Sequence, residues 1–314
     1  MQDRKAGWSV HLALFTVNLL YGANYLIAKQ VMPEFLDAYS FILLRLAICT
    51  VFFWLTGMFF KEQKINKEDW LRIAACSLFG MTLNQFLFFK GLSLTSSINA
   101  SLIMITTPIC VLIMSAIILK SQLQRKQLMG ISMGLVGAAK IILSGRNMHT
   151  QALKLSIGDL LILLNALSFA FYLVLAKPLM EKYHPIVLVK WMFLLATLMV
   201  VPFLLSGLGE VNWNAWTHKA WLCFSFVIFG ATYLVYLLNT VALKNATPVL
   251  LSTYIYLQPF FAALFGVLFG KEVITLQQGI AGLIIVVGVK LVSQTKQYPK
   301  DSVKNAENQT YYMG

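Results

Sequence analysis

The chain has 314 residues, 59% of them apolar and only 12% charged, with a formal net charge of +13 and a mean hydropathy of +0.73. Soluble domains hold about 45–50% apolar and about 25% charged residues, so a water-soluble fold is excluded. The apolar residues fall in runs of about twenty, the length that crosses about 30 Å of hydrocarbon. The basic excess gathers in the connecting loops and forms no stripe interleaved with aromatics, which excludes nucleic acid and leaves the lipid bilayer as the surroundings.

In chain order, ten helices are expected: residues 8–29, 38–60, 70–92, 97–119, 127–144, 158–178, 186–206, 218–243, 248–270 and 275–294. The first follows Arg4 and Lys5. It is long and lacks a small-residue cleavage site, so it reads as a retained span and not a signal peptide. The second carries Arg45 about eight residues in, roughly 12 Å by helical rise. That arginine reads as a structural pair or a reach to the outer interface, or else as an anion contact or gate at the external mouth, where Asp37 or Asp159 could be a partner. The fourth contains Pro108 and the ninth Pro259. The fifth places Gly130, Gly134 and Ala138 at four-residue spacing, a face for close packing within the chain or in a homodimer. Residues 295–314 are polar and read as a disordered cytoplasmic tail.

With the amino terminus in the cytoplasm, the inner segments hold Arg4, Lys5, Lys61, Lys64, Lys67, Arg72, Lys120, Arg125, Lys126, Lys177, Lys182, Lys244, Lys296, Lys300 and Lys304. The outer segments hold only Lys29, Lys90, Arg146, Lys154, Lys219 and Lys271. This asymmetry puts both termini inside, as in a multi-pass protein of the cell (inner) membrane.

The two halves resemble each other. At an offset of 151, Pro108 meets Pro259, Lys120 meets Lys271, Ser101 meets Ser252 and Gly137 meets Gly288; at 150, LFGMT at 78–82 meets IFGAT at 228–232, and at 148, AKQVM at 28–32 meets AKPLM at 176–180. Two units follow, 1–145 and 155–294. Because each holds five spans, an odd number, they enter the membrane from opposite sides as an inverted repeat. A proline inside a span leaves a carbonyl unpaired, tolerable where that carbonyl faces protein or a water-filled cavity. Its recurrence points to a kink or gating element at Pro108 and Pro259.

The sequence from Trp8 to about Ser293 resembles the EamA-type branch of the drug/metabolite transporter superfamily. The resemblance rests on Tyr21, Gly22 and Asn24 followed by Lys29 and Pro33, on LLRLA around Arg45, on Asn99, Ala100, Ser101 and Pro108, and on Gly270, Lys271 and Glu272. Ser121 stands where symmetry would put a second acid. The resemblance implies an all-α basket-like bundle of ten transmembrane helices, with a cavity lined by spans one, three, four, six, eight and nine.

Mid-span polar residues avoid lipid. Those on the same six spans are Asn18, Asn24, Asn84, Gln85, Asn99, Ser101, Asn165, Ser168, Tyr172, Tyr233, Tyr236, Asn239, Tyr254, Tyr256 and Gln258. They serve either interhelical hydrogen bonding or a small amphipathic solute: an amino acid, an aromatic compound or an organic cation. Asn24, Asn84, Gln85, Asn99, Ser101, Asn165, Tyr172, Tyr233, Tyr236, Asn239, Tyr254 and Gln258 are the candidates for contact with it. The cavity spans hold no mid-depth cation, which disfavours a phosphorylated substrate. Arg45, Asp159 and Glu272 are assigned to the external mouth.

No carboxylate is expected at mid-membrane, so no buried acid is available as an obligatory proton carrier. Walker, HExxH and Cys/His metal patterns are absent from the sequence, so no catalytic residue, metal or cofactor is expected. Cys49, Cys76, Cys110 and Cys223 all fall inside apolar runs, as small packing residues do. Two functions remain: a secondary transporter exporting a small metabolite by alternating access, or a multi-span membrane enzyme or receptor-like sensor. The repeat favours the first.

Overall fold

The computed structural model describes residues 7–32, 34–95, 97–144, 156–204, 209, 211–268 and 276–294. The proposed tail at 295–314 lies outside them. The helices are α1 (Trp8–Gln30), α2 (Ala38–Gly57), α3 (Lys67–Leu94), α4 (Ser97–Met104), α5 (Thr107–Ile118), α6 (Arg125–Ser144), α7 (Ile157–Lys182), α8 (Pro185–Leu204), α9 (His218–Asn245), α10 (Pro248–Gly266) and α11 (Leu276–Ser293). Seven of these, α1, α2, α3, α7, α8, α9 and α10, contain stretches long and apolar enough to cross a membrane. The chain is an all-helical, multi-pass membrane protein.

Helix starts are set by short side chains that accept the first orphan amides. Asp37 accepts from Tyr39 N at 2.9 Å and Ser40 N at 3.2 Å. Ser156 and Asp159 form a reciprocal capping box at the start of α7. Thr217 accepts from Ala220 N and Thr247 from Leu250 N. Large apolar side chains such as Phe15, Val51, Ile117, Leu128, Leu198, Leu222 and Val286 remain exposed along the helices. An apolar outer surface suits a bundle whose surroundings are hydrocarbon.

The helices of the two sequence halves interleave. α3 packs on α7 and α1 on α9; α5 packs on α7 and α1 on α10; α2 meets α8, α5 meets α10, and α6 meets α11. Glycine permits the closest approaches. A Cβ on Gly130 would stand 2.6 Å from the Gly288 carbonyl oxygen, and one on Gly134 would enter the Tyr256 ring. The Gly130–Gly134 face is therefore filled from within the chain by α11 and α10.

The fourth expected span is not one helix. It breaks between Met104 and Thr107, and Pro108 sits in the first turn of α5. In α10 the corresponding stretch is a tight 3-10 turn, Tyr254–Leu257, with Pro259 just after it. Expected to kink continuous helices, both prolines instead lie at the start of a new α-helical segment, where a missing N–H is least missed. A second paired irregularity escaped the periodicity reading. Leu78–Thr82 in α3 and Phe226–Leu234 in α9 are π-helical, and they coincide with the matched LFGMT and IFGAT segments.

Candidate functional site

The π-helical turns organise the site because a widened turn can present backbone carbonyls to side chains. In α3, Phe79 O accepts from Ser168 Oγ at 2.6 Å, Gly80 O from Tyr236 Oη at 2.8 Å and, just beyond, Asn84 O from Asn165 Nδ2 at 2.6 Å. In α9, Thr232 Oγ1 donates to Val227 O at 2.6 Å and Cys49 Sγ lies 3.6 Å from Ile228 O. Polar side chains of α2, α7 and α9 thereby fix helices from opposite halves to one another.

Between them lies a cavity of about 550 Å3, its open side included, lined by Tyr21, Asn24, Tyr25, Arg45, Asn84, Gln85, Phe88, Phe89, Met104, Asn165, Phe169, Tyr236, Ile255 and Gln258. These residues come from α1, α2, α3, α4, α7, α9 and α10. Met104 and Ile255 stand beside the two helix breaks, so both irregular stretches open onto the cavity.

Six of the candidate contact residues line it: Asn24, Asn84, Gln85, Asn165, Tyr236 and Gln258. Gln258 is held by Asn18 Oδ1, which accepts from its Nε2 at 2.9 Å, and by Tyr25 Oη, which donates to its Oε1 at 3.2 Å. Asn24 Oδ1 and Asn165 Oδ1 are buried with no hydrogen-bond partner among the described residues, and the Gln85 amide lies against Tyr236 Oη. Buried polar atoms are ordinarily paired, so these two oxygens mark where a solute could bind.

Other candidates lie elsewhere. The Tyr172 ring is buried against Gly80, outside the lining. Tyr233 turns toward α2, bonded to Thr56 and packed on Phe53 at 4.7 Å. Tyr254 meets His11 Nδ1 at 2.5 Å. Ser101 and Asn239 are buried outside the lining. Helical periodicity separates faces only coarsely, and the π-helical turn in α9 shifts its faces midway. The Asn99 side chain and Glu272 lie outside the described residues.

Arg45 requires a correction. Its partner is Thr232 and neither proposed acid. Asp37 caps α2, and Asp159 accepts from Thr95 Oγ1 at 2.6 Å and Ser156 N at 3.0 Å. The guanidinium is 3% exposed and lines the cavity. Nε and Nη2 donate to Thr232 Oγ1 at 2.9 and 2.5 Å, and the Phe89 ring centroid lies 4.2 Å away. Nη1 has no partner. A cavity cation therefore comes from span two, which the sequence reading had left out. The aromatic lining residues Phe88, Phe89 and Phe169 were also missed, because an apolar ring carries no sequence mark separating cavity from core.

An uncharacterized transporter of Archaeoglobus fulgidus is 27% identical over 289 residues, covering 90% of this chain and 96% of that protein. The uncharacterized transporter YyaM of Bacillus subtilis is 23% identical over 94% and 97% of the two chains. A WAT1-related protein of Arabidopsis thaliana is 26% identical over 94% and 87%. A crystal structure of a protein 20% identical superposes with a TM-score of 0.71, covering 90% of this chain and 96% of its own, which shows the shared fold. Residues 8–143 and 156–294 each match the EamA-like transporter family, and the chain belongs to that family.

Proposed function

We propose that this protein is a secondary transporter that exports a small amphipathic metabolite across the cell (inner) membrane, with ten spans arranged as two inverted five-helix repeats. The observation that carries the reading is the cavity itself. It lies among helices of both halves, and buried amide oxygens with no partner face into it. Hydrogen bonds and aromatic faces of this kind suit an amphipathic solute. The paired π-helical turns and helix breaks support two equivalent halves that rock about a shared site, as alternating access requires.

The test is flux into proteoliposomes containing the full chain, with candidate metabolites chosen by comparing the media of cells that overexpress or lack the protein. Saturable movement of an unchanged solute is the expected result. Product formation without movement would favour the membrane-enzyme reading instead.

A further inference from the structure

We infer that the cavity reads a carboxylate, that Arg45 is the residue that reads it, and that organic cations are excluded. This rests on the transporter reading and narrows its substrate class. The lining holds one cation and, among the described residues, no carboxylate. Arg45 makes no salt bridge there either. A guanidinium taken out of water without a counter-charge is costly. Thr232 Oγ1 and the Phe89 and Phe41 rings compensate only part of that cost.

Of the unpartnered groups, Arg45 Nη1 matches an anion, while the Asn24 and Asn165 oxygens accept and would take a donor elsewhere on the same solute. Nη1 still has its donors free. Gln85 also lines the cavity and gives an amide N–H to Tyr236 Oη, whose own hydrogen goes to Gly80 O. An amide NH2 has two donors, so one is left beside the contact to Tyr236. A planar carboxylate accepts from a guanidinium edge in the geometry Arg is built for. Single charge also matters: a phosphate dianion would leave a negative charge uncompensated beside one arginine. Phe88, Phe89 and Phe169 then take the apolar body of the solute.

The thermal shift of the purified full chain tests this with three probes of one shape: 3-phenylpropionate, 3-phenylpropanamide and 3-phenylpropylammonium. The carboxylate should bind, with the amide weaker and the ammonium absent. Arg45→Gln should weaken carboxylate binding about 10- to 100-fold, the loss of a charge-assisted hydrogen bond. Should that variant not fold, Arg45→Lys, which keeps the charge without the fork, should still weaken the carboxylate and leave the amide unchanged. Ammonium binding equal to the carboxylate, unchanged affinity in a folded Arg45→Gln, or no carboxylate binding would each overturn the inference, and flux of another solute would leave the transporter reading intact. Carboxylates that bind but never cross in proteoliposomes would instead remove the transporter reading and keep the site.

Discussion

Lys29 and Lys177 make the same contact in opposite halves. Lys29 Nζ donates to Thr95 O at 2.9 Å, at the end of α3. Lys177 Nζ donates to Leu243 O at 3.0 Å and Lys244 O at 3.2 Å, at the end of α9. The two lysines are partners in the AKQVM and AKPLM match. Each supplies a cation to carbonyls that a helix C-terminus leaves unpaired, where the helix dipole also favours positive charge.

In an inverted repeat these contacts lie toward opposite sides of the membrane. Lys29→Met is expected to raise alkylation of an Asn84→Cys cavity reporter from outside, and Lys177→Met from inside. Each substitution should cost about 1 kcal/mol of stability. Shifts of both variants toward the same side would count against the inverted arrangement.

Gly80 lets α3 meet α7, because a Cβ there would lie inside the Tyr172 ring. Gly80→Ala should lower stability by about 1–3 kcal/mol through overpacking. A Cβ at Gly279 has nothing within 4 Å, so Gly279→Ala should melt like the parent protein. In a Tyr172→Ala background, which itself costs about 3–5 kcal/mol, Gly80→Ala should cost less than it does in the parent; an undiminished cost would show that the ring is not the obstacle.

At the turn between α7 and α8, His184 N donates to Gln63 Oε1 at 2.6 Å and its ring lies 4.9 Å from Phe60. Burial first, and then the Lys244 charge, hold its imidazole below the ordinary value of 6.5. The unfolded chain then binds the proton more readily than the folded one. The stability of the neutral form is present above pH 6.5 and is lost as pH falls through the lowered value. The melting temperature should drop as pH falls from 6.5 to the lowered value and level off below it, and His184→Gln should flatten this part of the profile.

Orientation can be read chemically. In a background with the four cysteines replaced, Lys64→Cys should react only with reagent on the cytoplasmic side and Asn212→Cys only with reagent outside. The reverse pattern would invert the proposed topology.

Energy coupling follows from the lining. With no carboxylate on the cavity among the described residues, flux should persist when the pH gradient is collapsed. Uphill accumulation driven by a pH gradient at zero potential, and lost in Asp159→Asn or Glu272→Gln, would show a coupling acid.

Membrane residence and the repeat were legible in the sequence because both are linear patterns, apolar runs and identities at a near-constant offset. Asn24, Gln85 and Asn165 were legible as cavity residues because lipid excludes mid-span amides from the outer surface. Hydropathy could not show that the span around Pro108 breaks into two helices or that α3 and α9 widen into π-helical turns. The turn in α3, for one, presents its carbonyls to Ser168 and Tyr236, on helices more than eighty residues away. The same holds for Arg45. Its place in the sequence gives a depth along one helix, but only the packing of α2 against α9 puts its guanidinium on Thr232 and into the cavity. Where a buried charge lies is set by which neighbour can hold it, and that neighbour is chosen by the tertiary fold.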